Sequence, residues 1–159
     1  MERILDRVQS FFLDMPVIEV MNPNVISVRP DRTLRQVKEI LRIKRISGVP
    51  VVDENRKILG IVSIEDIIKA LEGGYIDGKV QDHMTKKVVC LKTTDSLKEV
   101  IETFEKYSYG RFPVVDENGR VVGIITKNDV MMALLAKLGL VYLHDERRRE
   151  VLELSLIHI

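Results

Sequence analysis

Slid against itself by 63 positions, the sequence matches in one register: Met21 falls on Met84, Val25 on Val88, Leu34 on Leu97 and Val37 on Val100. Pro50-Val51-Val52-Asp53-Glu54-Asn55 falls on Pro113-Val114-Val115-Asp116-Glu117-Asn118. Gly60-Ile61 then falls on Gly123-Ile124, Asp66 on Asp129, and Ala70-Leu71 on Ala133-Leu134. The register runs from about residue 20 to 71 and from 83 to 134 without a gap. Self-similarity of this kind marks two copies of one supersecondary unit. A copy of about 50 residues is small for independent stability, so the two are expected to share a core.

Each copy reads as β-α-β-β-α. A short apolar run, Val25 to Val28 or Val88 to Leu91, predicts a first strand. Thr33-x-x-Gln36 and Ser96-x-x-Glu99 match the capping box and predict helix starts. Leu34, Val37 and Leu41 follow at helical spacing, as do Leu97, Val100 and Phe104. Val49 to Val52 and Phe112 to Val115 read as second strands. Ile58 to Val62 and Val121 to Ile125 read as third strands, reached through the turn-forming Asp53 to Arg56 and Asp116 to Gly119. Second helices start near Ser63 and Thr126 and carry Ile67, Ile68 and Leu71, or Val130, Met131 and Leu134. The expected organisation is an N-terminal helix over 1–15 (stripe Ile4, Leu5, Val8, Phe11, Phe12), repeat 1 over 16–72, a glycine-punctuated linker over 73–79, repeat 2 over 80–138 and a helical tail over 139–159. The tail is packed on a partner or belongs to a longer chain.

Lys and Arg number 25 against 24 Asp and Glu, a net charge of +1, which excludes a strongly basic nucleic-acid binder and an acidic disordered tail as the main identity. Cys90 is the only cysteine, so neither an intrachain disulfide nor a multi-cysteine zinc site can form. Cys90 matches Ser27 and reads as a core or pocket-lining residue. No apolar run approaches the ~20 residues of a membrane helix, and the N-terminus has no signal-peptide core. The cytosol is the expected compartment. His83, His144 and His158 form no metal-spacing motif, Arg147-Arg148-Arg149 reads as a solvated helix face, and no Walker loop, dinucleotide fingerprint or Ser-His-Asp order is present. An enzyme is therefore not expected.

Ser63-x-x-Asp66 and Thr126-x-x-Asp129 stand where an apolar strand runs straight into a helix. A helix N-terminus offers free N–H groups and a positive dipole end that suit a phosphate. The hydroxyl can donate to a phosphate oxygen, and the carboxylate can accept both hydroxyl protons of a ribose. The same pattern is also a plain helix cap. Asp is shorter than the Gln36 and Glu99 of the first helices, which makes it the poorer reciprocal cap and favours the ligand.

With Gly48-Val49-Pro50-Val51-Val52-Asp53 and Gly60 to Asp66 in the first copy, and Arg111 to Asp116 and Gly123 to Asp129 in the second, the chain resembles a tandem CBS-domain pair, the Bateman module, over about residues 16 to 138. The resemblance implies an α+β fold of two β-α-β-β-α repeats related by a pseudo-twofold axis, with flanking N- and C-terminal helices. It also implies an adenosine-containing ligand in the cleft between repeats: AMP, ADP or ATP first, NAD or S-adenosylmethionine next. Carried over, Thr126, Asn128 and Asp129 would face Met21, Asn24, Ile26, Ile46, Ser47 and Gly48. Ser63, Glu65 and Asp66 would face Met84, Lys87, Val89, Tyr109, Gly110 and Arg111. Glu65 would repel a phosphate and leave the second pocket with fewer phosphates or empty. Arg111, standing where the first copy has Gly48, is either a phosphate ligand or a rim arginine, and Lys44 or Arg45 would assist with a polyphosphate. The implied role is regulatory: ligand binding shifts the repeats and is passed to a partner or attached effector domain. A homodimer is implied too, with Ile68, Leu71, Met131 and Leu134 as contacts. A ligand-free interaction scaffold and a nucleotide-processing enzyme are the alternatives.

Overall fold

A computed structural model describes residues 11–138; the residues Ile4, Leu5 and Val8 of the N-terminal stripe, and the tail with His144, Arg147 to Arg149 and His158, lie outside the described residues. The elements in chain order are α1 (Val17–Val20), α2 (Leu34–Lys44), β1 (Gly48–Val52), β2 (Ile58–Ser63), α3 (Ile64–Gly73), α4 (Val80–His83), β3 (Leu91–Lys92), α5 (Leu97–Lys106), β4 (Arg111–Val115), β5 (Val121–Thr126) and α6 (Lys127–Leu138). The two short helices α1 and α4 stand before the repeats' first apolar runs. Neither carries the periodicity that a sequence pattern needs to reveal a helix.

The two copies fold alike down to their irregularities. β1 pairs with β2 antiparallel, Gly48 opposite Ser63, with a bulge between Val51 and Val52. β4 pairs with β5 in the same way, Arg111 opposite Thr126, with a bulge between Val114 and Val115. Each hairpin turn is closed by an aspartate. Asp53 Oδ1 accepts from the N–H groups of Asn55 and Lys57 at 2.8 and 2.9 Å, and Asp116 Oδ1 accepts from those of Asn118 and Arg120 at 2.9 Å. The turn needs a left-handed residue. Copy two supplies Gly119 at φ 78°, but copy one supplies Arg56 at φ 65°, which costs about 1 kcal/mol or more. At the turn ends the hairpins meet: Ile58 N–H donates to the Gly119 carbonyl at 3.2 Å and Val121 N–H to the Arg56 carbonyl at 2.9 Å.

The expected first strands are almost absent. Val28 makes a single parallel bridge to Val51, and β3 is only two residues long, pairing parallel to β4. Pro50 explains the shortening. Val28 donates to the Pro50 carbonyl at 3.0 Å and accepts from Val52 at 2.9 Å, but Pro50 has no N–H for the next rung, toward Ile26. Pro113 has the same effect beside Val89.

The expected single core is also corrected: there are two. One gathers Val28, Leu34, Val37, Leu41, Val49, Val51, Val62, Ile67 and Ala70 of the first copy, together with Ile76 and Val80. The other gathers Leu91, Leu97, Val100, Phe112, Val114 and Ile125 of the second copy, together with Phe12, Met15 and Val17. Each copy thus completes its core with the segment that precedes the other copy's first apolar run. Val17 and Val80 are fully buried, and each such side chain contributes about 1.5–3 kcal/mol of transfer free energy.

The exchange is fastened at two equivalent places. Asn22 and Ile124 exchange main-chain hydrogen bonds at 2.8 and 2.9 Å, and so do Thr85 and Ile61. Met21 lies against Gly123 and Met84 against Gly60. A side chain at either glycine would occupy the methionine's place, which is why both positions lack one. The apolar stripes of α3 and α6 split accordingly. Ile67 and Ala70 point inward, while Ile68, Leu71, Met131 and Leu134 remain 36–59% exposed.

Candidate ligand cleft between the repeats

The hairpin register sets the geometry of the cleft. Because Gly48 lies opposite Ser63 and Arg111 opposite Thr126, each pre-proline segment is brought beside its own copy's strand-to-helix junction. The exchanged segment of the other copy then runs past that junction. The result is a cavity of about 440 Å³ between the copies. Volumes of this order are usual for small-molecule sites.

Its lining is largely the second of the two expected sets. Ser63 and Glu65 come from the β2–α3 junction; Lys87 and Val89 come from the segment after α4; Tyr109, Gly110 and Arg111 enter β4. Asp66 lies directly behind Ser63. Its Oδ2 accepts the Ser63 N–H at 2.9 Å and the Ser63 hydroxyl at 3.1 Å, and the Thr85 hydroxyl of the other copy approaches both carboxylate oxygens at 3.4 Å. Asp66 N–H in turn points at Ser63 Oγ, 3.4 Å away. In copy two, Thr126 N–H donates to Asp129 Oδ2 at 2.9 Å and Asp129 N–H to Thr126 Oγ1 at 3.1 Å. Both aspartates form reciprocal caps, although Asp is expected to make a poorer one than Gln or Glu; the Asp66 N–H contact, at 3.4 Å, is the long one. A strand entering the helix directly holds the cap residue extended, with Ser63 at φ −107° and ψ 171°, and one carboxylate oxygen then reaches back. Lone pairs remain on the other oxygen, so cap and ligand contact are compatible.

Other expected positions fall elsewhere. Ser47 and Gly48, assigned to the Asp129 side, line the same cavity as Ser63, because the hairpin register sets Gly48 beside it. Met21 and Met84 pack into the cross-copy fastening and the cores and do not line this cavity. Ile46 packs against the first core, Ile26 is 37% exposed, and Asn24 donates its N–H to the Asn22 side chain at 2.9 Å. Thr126, Asn128 and Asp129 sit at the head of α6 outside this cavity. Arg45 closes α2 in a left-handed conformation, Arg42 pairs with Glu39 at 2.7 Å, and neither they nor Lys44 reach the cleft.

Pattern reading missed Thr85, Val88, Ser108, Ile61 and Ile124, which complete the wall with Val49, Pro50 and Phe112. Thr85 had one available signal. It is the register partner of Asn22, directly after a methionine that recurs in both copies.

Arg111 is the charged residue most affected by this environment. Its Nε is buried and without a hydrogen-bond partner. Burial holds the guanidinium below its ordinary value, while the charge of Asp129 works in the opposite direction. The charged side chains of the cavity wall are Glu65, Lys87 and Arg111, which leaves the wall formally cationic. Tyr109 stands at the mouth, 55% exposed, backed edge-on by Phe112 with ring centroids 6.0 Å apart. Cys90, beside the wall but not in it, is half-buried, and burial pushes its thiol up to about 11. Among the described residues no group of three or more His, Cys, Asp or Glu side chains could hold a metal ion, and no helix is long and apolar enough to cross a membrane.

Two hairpin-centred repeats that trade segments and enclose a cleft define a paired-repeat module. The chain belongs to the CBS-domain family: the family model for the CBS domain matches residues 17–73 and 80–136. Inosine-5'-monophosphate dehydrogenase of Methanocaldococcus jannaschii is 39% identical over 113 residues, 71% of this chain and 22% of that protein. The chain spans only 22–44% of the length of the first curated relatives it matches. Among solved structures, CBSX2 in complex with AMP matches with a TM-score of 0.69 and 29% identity, covering 77% of this chain and 97% of that one. The CBS domain pair of protein MJ0100, in complex with 5'-methylthioadenosine and S-adenosyl-L-methionine, matches with a TM-score of 0.65 and 29% identity, covering 74% and 98%.

Proposed function

We propose that this CBS pair is a regulatory module that takes an adenosine phosphate into the cleft and passes the event to a partner or attached effector domain. The observation that carries the reading is the cavity itself. Ser63, with the Asp66 cap behind it, lines the cavity together with Lys87 and Arg111, and Val89, Ile61, Ile124 and Tyr109 add apolar and aromatic surface. That arrangement offers acceptors to a ribose, cations to a phosphate and flat apolar contacts to a base. The AMP and methylthioadenosine complexes of the similar structures support the same ligand class. Tyr109, Gly110, Arg111, Lys87, Val89, Ser47, Gly48, Ser63 and Asp66 are the residues assigned to it. By the 63-residue register, Thr126, Asn128 and Asp129, with Asn24 and Ile26 in the places of Lys87 and Val89, are assigned to a second, equivalent junction.

Binding moves the repeats only through differential affinity for two arrangements. The main-chain fastenings at Ile61–Thr85 and Asn22–Ile124 join the two copies, so such a shift is passed through them. The outward apolar residues of α3 and α6 favour a homodimer, and a cytoplasmic setting fits a sequence with a single cysteine.

A thermal-shift and calorimetry panel of AMP, ADP, ATP, NAD, S-adenosylmethionine and adenosine tests the reading. A ligand at ~100 times its dissociation constant adds ~2.7 kcal/mol of stability. A flat panel would leave the chain an interaction scaffold. Turnover of ATP under saturating magnesium would make it an enzyme.

A further inference from the structure

Arg111 belongs to both halves of the cleft. Through its lining position it faces the cavity of the Asp66 junction. Through its register it lies opposite Thr126, whose N–H is held by the Asp129 carboxylate. Asp129 is the carboxylate whose charge acts on it, yet among the described ion pairs Arg111 has none. Its Nε is buried and has no acceptor. The first copy has Gly48 at the equivalent place, so the pair holds one such cation where its symmetry would allow two. Glu65 already cancels Lys87 in the cavity wall, which makes Arg111 the residue that gives the wall its positive charge.

We propose that Arg111 is a single cation shared by two ligand positions, so that a phosphate bound in the cavity weakens binding of a second phosphate at the Asp129 junction while leaving an uncharged adenosine there unaffected. The inference rests on the adenosine-phosphate reading and adds to it a sign and a residue. The physical reason is local neutrality. A phosphate in the cavity engages the guanidinium fork and consumes its charge. The Asp129 carboxylate then faces an incoming phosphate without a compensating cation in a partly buried site, where charges are weakly screened. An uncharged nucleoside needs only the carboxylate's lone pairs and does not sense the loss. Coupling of this kind is reciprocal, so whichever site fills first weakens the other.

The test is titration calorimetry of the full chain with AMP and, separately, with adenosine. The coupling is read as the ratio of the second stepwise dissociation constant to the first. The ratio for AMP is expected to exceed that for adenosine by about fivefold or more, and Arg111→Met is expected to bring the two ratios together. Two adenosine events with only one AMP event would be the same coupling at its limit. Equal ratios for the two ligands in the unaltered protein refute the shared cation, as does a single event with each. Arg111→Lys keeps the charge and should keep the excess; with the wild-type comparison it decides the matter even where Arg111→Met fails to fold. Absence of heat with both ligands would instead overturn the adenosine reading, and the coupling with it.

Discussion

Replacing Gly60 by alanine probes the exchange of segments directly. A Cβ there would stand 2.8 Å from the Thr85 carbonyl oxygen, 2.7 Å from Met84 Sδ and 2.9 Å from Met84 Cγ, where ordinary contact begins at 3.4 Å. The methionine can turn away, but the carbonyl cannot. Thr85 is held by its N–H to Ile61 at 2.8 Å and by its carbonyl from Ile61 at 2.9 Å, so relieving the clash stretches both bonds. Overpacking of this kind costs about 1–3 kcal/mol, and the lost backbone freedom of the unfolded chain returns about 0.4–1 kcal/mol. The net expectation is a loss of about 1–2 kcal/mol, or a fall in melting temperature of about 3–8 °C for a domain of this size. Gly123→Ala is the built-in control. There the three nearest atoms are all in the Met21 side chain, which has rotatable bonds with which to move, so the loss should be smaller by about 1 kcal/mol. Urea and thermal denaturation of the two variants measure the difference. Amide exchange at Ile61 and Thr85 should accelerate in the first variant and not in the second. Gly60→Ala proving as mild as Gly123→Ala would refute the claim that the inter-repeat bridge is held rigidly by main chain.

Asp66→Ala should cost about 1 kcal/mol through loss of the Ser63 cap, measured by urea denaturation, and should weaken the tightest adenosine-ligand binding tenfold or more, whereas Asp66→Asn should recover most of the stability. Because burial raises the Cys90 thiol to about 11, the folded state keeps its proton where the unfolded state has lost it, so this group's contribution to stability falls as pH rises from 9.0 toward 11. Cys90→Ala should flatten that limb of the pH–stability curve, and alkylation of native Cys90 near pH 8 should run about a hundredfold slower than that of a free thiol. Ile68→Glu with Met131→Glu should convert the proposed homodimer to a monomer on size exclusion with light scattering, with the fold retained by circular dichroism, since both side chains point away from the cores.

The parts legible in the sequence were those governed by neighbours along the chain. Capping boxes at Thr33 and Ser96, the Asp53 and Asp116 turns and the hairpin strands follow from local chemistry, and the structure has them at their expected places. The first strands were misread because Val25 to Val28 has the right residue types, while the missing donor lies on the opposing strand, at Pro50. A pattern confined to one segment carries no information about its partner's hydrogen-bonding groups. The single shared core failed for a related reason. Val17 and Val80 are short apolar punctuation in the sequence, and only the fold reveals that each fills the other copy's interior. The site shows the same division. Ser63 and Asp66 stood out by their junction, but the grouping of Ser47 and Gly48 with them depends on hairpin register, and the buried Nε of Arg111 depends on what the cleft walls cover.

The traded segments also set the smallest piece of this molecule that can be inherited. A recombination event carrying only one copy would leave vacant the seat of Val17 or Val80 and strand a row of apolar side chains in water. Such a fragment is expected to be less stable than the pair. Grafting into new host proteins is therefore expected to favour the doublet, with Ile76 and Val80 still seated in the first core.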